Sequence, residues 1–229
     1  MAGATDRDVM RRGLCSAGDS FAAANAARCS LLLIRRSCLG SSVFVDSIPR
    51  HKPKTIGCVS NEVFEAARTI LAVREFEERP VPDDVLGRIL EAGRLTASAR
   101  NGQPWHFVVV RERDGLRKLG SLVRTGPYTA NAAAAIIVAY EKPTGQYGLS
   151  DASRAIQTML LVAWGEGVGS NWTGFVGLEN VREEFGIPEG YEVLAVVPLG
   201  YPRRKISGKK KRKPLSEVVS AERFGQPLG

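Results

Sequence analysis

Two unbroken apolar runs limit the folds open to this chain more than any other feature. Ala134-Ala-Ile-Ile-Val-Ala-Tyr140 has no charged or amide side chain within it, and Glu192 to Leu199 reads the same way after its first residue. A strand with one wet face alternates apolar and polar residues, so a run without alternation needs cover on both faces. The rest of the sequence supplies that cover as helices. Residues 61–70 form a helix with Val63, Phe64 and Ala67 on one face. Pro82-Asp-Asp opens a second helix, with proline in the first turn and carboxylates at the positive end of the dipole. Its Val85, Leu86, Ile89, Leu90 and Ala92 keep the 3.6-residue period.

Trp105 to Arg111 is strand-like, and Asp114 is placed to cap a helix carrying Leu116, Leu119 and Leu122. The longest helix starts at Ser150 or Asp151, turns Ala152, Ala155, Ile156, Met159, Leu160 and Ala163 inward, and ends in Gly165-Glu-Gly-Val-Gly169. That glycine spacing follows a helix rather than a strand, so it is not a dinucleotide-binding fingerprint. Val181 and Phe185 mark a short helix stopped by Gly186 and Pro188. Elements in this order are neither regular βαβ nor all-β. They predict an α+β fold, with helices around a small sheet and no internal repeat.

The 229 residues suit one globular domain plus an appendage, and the longest aliphatic cluster near the start, Leu31-Leu-Leu-Ile34, is far too short to span a membrane. A net charge of +8 raises the question of nucleic acid, and its distribution argues against it. Residues 1–60 carry +5, residues 203–213 carry +8 with no acid, and the remaining body carries −5. All four cysteines (Cys15, Cys29, Cys38, Cys58) lie in the first 58 residues without Cys-x-x-Cys spacing, which excludes a disulfide scaffold or a zinc site and suits a reducing cytoplasm. Residues 1–58 show no sustained period and are expected to be a disordered, targeting or spurious extension, with the domain itself spanning 59–229. His51 and His106 are isolated, and no Gly-x-Ser-x-Gly elbow or Walker loop occurs.

The richest stretch for chemistry is Thr96-Ala-Ser-Ala-Arg-Asn-Gly-Gln-Pro-Trp-His-Phe107, between the second helix and the first strand. Ser98, Asn101 and Gln103 offer groups that donate and accept hydrogen bonds, and Ala97, Ala99 and Gly102 keep the backbone open to a flat ligand. Pro104 stiffens the exit. Donors and acceptors at fixed offsets on a stiff loop are what reading the edge of a planar heterocycle requires.

This string, with Arg74-Glu-Phe76 before it and Gly169-Ser-Asn-Trp-Thr-Gly-Phe175 after it, resembles the nitroreductase family of FMN-dependent oxidoreductases. The resemblance runs from about residue 60 to the C-terminus. It implies a small mixed, mainly antiparallel sheet flanked by helices in a domain-interleaved homodimer with FMN at the interface. It implies that Arg74 is the cation beside the flavin N1/C2 region. Ser98, Asn101 and Gln103, with the backbone of Ala97 and Ala99, would take the ring edge of the partner subunit's flavin. Thr173 and Gly174 would pass close to N5 with Trp172 as a wall, and Lys210 and Arg212 would match a late phosphate-binding Lys-x-Arg. The family's first phosphate-binding Arg and its Ser fall on Ile70 and Ala72, which cannot donate, and Arg68 is the nearby substitute. Tyr128 borders the substrate side or packs in the core.

The activity so implied is hydride transfer from NADH or NADPH through the flavin to a small electron-poor acceptor, a nitroaromatic or quinone, by ping-pong kinetics. Related flavin chemistry, dehalogenation or flavin fragmentation, is the alternative on the same fold. From a different class comes a binding protein acting through Gly208-Lys-Lys-Lys-Arg-Lys-Pro214, although one basic cluster on an acidic body makes a poor nucleic-acid surface.

Overall fold

The computed structural model describes residues 62–174 and 178–229; the expectation for residues 1–58 lies outside the described residues, as does Phe175. The order of elements is α1 (Glu62–Thr69), α2 (Asp83–Arg94), β1 (Trp105–Val110), α3 (Arg113–Leu122), β2 (Ala134–Glu141), α4 (Gly145–Gly165), β3 (Gly169–Ser170), α5 (Glu179–Glu184) and β4 (Tyr191–Gly200). The four strands form one sheet in the order β1-β2-β4-β3, with every named pair antiparallel. A single parallel bridge, Ala72 with Ser170, gives the sheet its mixed character. The fold is α+β.

Both apolar runs are central strands, and the period-2 rule sorts their side chains. Ile136, Val138 and Tyr140 enter a core built with α2 and α4, through Leu86, Ile89, Ile156 and Met159. Ala135, Ile137 and Ala139 enter a second core with α3 and α5, through Leu116, Leu119 and Val181. In β4 the register slips where Val138 pairs with Ala195 and Ala139 with Val193. The extra residue, Leu194, therefore joins Ala195 in the α2/α4 core. Pro198 is tolerated inside this strand because Val196 already faces Thr173 on that edge, and the neighbouring chain is unpaired between Ser170 and Thr173.

Four details differ from the sequence reading. Helix α4 begins at Gly145, not at Ser150 or Asp151, so Asp151 lies well inside it. Two glycines in Gly145-Gln-Tyr-Gly148 weaken local helix propensity, and tertiary packing overrides them. Asp114 does not cap α3, because the helix starts at Arg113 and Asp114 instead pairs with Arg117. The Pro82 position is the N-cap of α2 rather than its first turn. Helix α1 has no buried residue, and Val63 and Phe64 are 72% and 61% exposed, so its expected inward face is left uncovered by this chain.

Candidate active site

The segment after α1 is held at the end of the sheet, and this creates the site. Val73 N–H donates to Ser170 O at 3.0 Å, Glu77 N–H to Tyr201 O at 2.8 Å, and Arg203 N–H to Glu75 O at 3.0 Å. Residues 72–77 therefore lie between β3 and the chain leaving β4. Close approach at Val73 depends on Gly169, where a Cβ would stand 2.6 Å from Val73 Cγ2. Trp164 Nε1–H donates to Thr69 Oγ1 at 2.9 Å, tying the end of α1 to α4.

Between these pieces opens a cavity of about 670 Å3, within the range of small-molecule sites. Arg68, Lys210 and Arg212 line it, along with Ile70, Leu71, Ala72, Gln157, Leu160, Ser170, Asn171 and Trp172. The basic run crosses α1 with Lys210 Nζ donating to Ala67 O. Lys210 and Arg212 line the cavity while Lys209, Lys211 and Lys213 do not, the alternation expected of an extended chain. The run is thus divided between a cavity and the solvent, and is not one solvated face.

Arg68 uses Nε and Nη2 on Glu65, leaving Nη1 outside the pair. The hydrogen bond from Arg68 holds the Glu65 carboxyl below its usual range, and the same bond raises the Arg68 guanidinium. Three cations over apolar walls of Ile70, Leu71, Leu160 and Trp172 suit an amphiphilic anion: a phosphate at one end and a flat or aliphatic body at the other. Ser170 adds a donor. It is 3% exposed, and its Oγ is buried without a hydrogen-bond partner. A buried hydroxyl left unpaired is costly unless a ligand completes it.

The other expected residues fall elsewhere within one chain. Arg74 borders two neighbouring cavities, not this one, and its guanidinium lies 5.9 Å from the Tyr128 ring centre. Tyr128 OH accepts from Asn171 Nδ2, and Asn171 lines the main cavity, so Arg74 is linked to it through two side chains. Thr173 and Gly174 face Thr125: the two threonine hydroxyls are 3.1 Å apart, and Gly174 N–H donates to Thr125 Oγ1 at 3.1 Å. Gly174 has φ +84°, and a Cβ there would meet Leu178 Cδ2 at 2.8 Å.

Loop 96–103 also lies apart from the cavity. Ala99 N–H donates to Asp151 Oδ2 at 2.9 Å, near the start of α4, whereas Gln157 and Leu160 line the cavity further along the helix. Nine residues of helix separate Asp151 from Leu160, about 13 Å. Within the loop Ser98 Oγ accepts the Gln103 N–H at 3.0 Å, and Gln103 Nε2 donates to Asn101 O at 3.2 Å. These two side chains therefore build the loop as well as edging it. Arg100, Asn101 and Gln103 all have positive φ (54°, 57° and 48°). Three such residues in four are strained and persist because Asp151 and Ser98 hold them.

Ser170 and Asn171 lie within the quoted Gly169–Trp172 string, but nothing in their types singled them out. Gln157, a solvent-side position of α4, gave no signal at all. Among the described residues no group of three or more His, Cys, Asp or Glu could hold a metal, and no helix is long and apolar enough to cross a membrane.

Comparison with known proteins gives one consistent result. The model of the Nitroreductase family matches residues 67–142 and 125–201. A Methanothermobacter thermautotrophicus protein, provisionally named NADH dehydrogenase/NAD(P)H nitroreductase, is 38% identical over 149 residues, spanning 62% of this chain and 78% of its own. The crystal structure of a similarly named protein from Parabacteroides distasonis superposes with TM-score 0.67 at 26% identity, covering 72% of this chain and 100% of that one. A Desulfovibrio desulfuricans protein, provisionally a nitroreductase and solved in complex with FMN, gives TM-score 0.65 at 27% identity, covering 72% and 99%.

Proposed function

The chain belongs to the nitroreductase family of oxidoreductases, and from that premise we propose that it is an FMN-dependent NAD(P)H oxidoreductase acting on small electron-poor acceptors. The observation that carries this is the cavity with Arg68, Lys210 and Arg212 at its rim, the unpartnered Ser170 hydroxyl in its wall and apolar side chains around it. When bound, FMN supplies hydride acceptance from NADH or NADPH and delivery to a nitroaromatic or quinone.

The chain's own residues bind, orient and exclude water. Arg68, Lys210 and Arg212 grip the phosphate, replacing the donors missing at Ile70 and Ala72. Leu160 and Trp172 keep that end dry. Arg74, held against Tyr128, places a positive charge where reduction makes the ring negative. Gly174 lets backbone approach the ring closely.

The ring edge is read by Ala97, Ser98, Ala99, Asn101 and Gln103 of a second copy of this chain. A homodimer is supported by what one copy leaves bare: Val63 and Phe64 on α1, Leu95 beside the loop, and Leu215, Val218 and Phe224 after the basic run. The catalytic domain is residues 59–229, and the site of action is the cytoplasm.

The deciding measurement is the visible absorbance of the purified chain with and without added FMN, alongside its mass in solution. A yellow dimer that loses its flavin on changing Lys210 and Arg212 to Ala supports the proposal. Each charge-assisted contact contributes about 1.5–3 kcal/mol, so the double change should raise the FMN Kd by about 10²- to 10⁴-fold. Two substrates sharing one cavity in turn should give parallel initial-rate lines. A colourless monomer indifferent to FMN refutes it.

A further inference from the structure

A second cavity, about 620 Å3, opens between the 74–78 segment, the first turns of α3 and the turn at Ala130–Asn131. Four arginines line it: Arg74, Arg113, Arg117 and Arg203. Two carboxylates are present, and Glu75 is already engaged by Arg204 at 3.3 Å. Among the described residues no carboxylate pairs with Arg74 or Arg203. Arg113 is pinned in place, its Nη1 donating to Ala130 O at 3.1 Å and to Ala132 O at 3.4 Å. Arg117 has only an exposed partner, Asp114. Like charges converging on one cavity repel unless an anion joins them.

The walls decide what kind of anion. The first cavity has aliphatic and aromatic walls on which a ring and its chain can lie. The second is lined almost wholly by charged or amide side chains, with Phe76 and Ala130 the apolar members. It suits a compact, strongly hydrated, doubly charged group and not a flat ring. Guanidinium forks match phosphate oxygens better than any other side chain. One flavin phosphate is accounted for by Arg68, Lys210 and Arg212, so this cavity answers to a phosphate from another molecule. Arg74 and Tyr128 connect it to the first cavity, where the nicotinamide donor must work.

We propose that Arg113, Arg117 and Arg203, with Arg74 at the junction, bind the 2′-phosphate of NADPH and make it the preferred electron donor over NADH. This rests on the oxidoreductase function proposed above. Changing both Arg117 and Arg203 to Ala tests it, since both side chains are exposed and the backbone bond of Arg203 to Glu75 is untouched. With FMN-loaded protein the NADPH KM should rise about tenfold or more while the NADH KM stays within about twofold, and bound FMN should be retained. By calorimetry 2′,5′-ADP should bind the wild-type chain about tenfold or more tightly than the variant, and 5′-AMP should not distinguish them.

A wild-type chain that uses both donors equally overturns the proposal, as does an equal rise of both KM values. Loss of FMN from the variant would give this cavity to the flavin phosphate and overturn it too. Should the chain turn over neither donor, the oxidoreductase function fails, and 2′,5′-ADP binding decides the cavity by itself.

Discussion

Replacing Gly169 by Ala should loosen the clamp that holds the 72–77 segment, and the structure sets the size of the effect. The new methyl would stand 2.6 Å from Val73 Cγ2, 2.8 Å from its Cβ and 2.9 Å from its Cγ1. Non-bonded carbons rest at about 3.5–4.0 Å, so the two chains must part by about 1 Å. Gly169 does not use the left-handed region, so alanine suffers no backbone strain there and the cost is steric. Val73 is buried and β-branched, with little freedom to turn aside. Overpacking of this kind costs about 1–3 kcal/mol, or about 2–4 °C in Tm per kcal/mol for a domain this size.

Val73→Ala removes two methyl groups and should cost about 2 kcal/mol from lost burial and a small cavity. The double variant is the decisive case. The methyl added at position 169 then occupies space that Val73 has vacated, so its cost should fall short of the summed single costs by about 1 kcal/mol or more. Urea unfolding followed by tryptophan fluorescence gives all three values. The Gly169→Ala variant should also bind FMN more weakly, because Val73 N–H bonds Ser170 and Arg74 is its neighbour. Additivity within about 0.5 kcal/mol would show that these two residues do not meet as described.

Two further perturbations test other parts of the structure. Burial, aided by Glu192 across the strand pair, pushes the Tyr140 phenol up to about 12. Because the folded value is the higher one, this residue's contribution is complete below about pH 10 and is lost as pH rises toward about 12, some 2–3 kcal/mol in all. Tyr140→Phe should flatten that part of the stability–pH curve, and an unchanged curve would dismiss the assignment. Asp151 is 2% exposed and holds Ala99 N–H and Arg154. Asp151→Ala should speed hydrogen exchange across residues 97–103 and cost about 1–3 kcal/mol, whereas Asp151→Asn keeps an acceptor for Ala99 and should lose less; equal exchange in both variants and wild type would mean the loop supports itself.

Much of the fold was legible before any coordinates, because it follows from local rules. An apolar run without alternation has to be a strand covered on both faces, and Ile136 and Ile137 do enter opposite cores. Helix periods placed Ile89, Leu116 and Met159 inside. The family was legible as well, since its short strings are contiguous in the chain. Boundaries were less so: Gly145 and Gly148 argue against a helix by propensity, and only packing against the sheet makes them part of α4.

The cavity could not be read this way, because residues up to 144 positions apart form it, from Arg68 to Arg212. Sequence alone determined which residue types were available: a Lys-x-Arg within a basic run, an arginine near the lost phosphate ligands and a loop of small polar residues. Tertiary structure decided which of them meet. It turned Lys210 and Arg212 inward and their neighbours out, brought Ser170 to the same wall, and drew Arg74 to Tyr128 and a second cavity. It also spent the Ser98 hydroxyl inside its own loop. The physical reason is that side-chain character is written residue by residue, whereas proximity between distant segments arises only when burial of the apolar runs fixes where each loop must end.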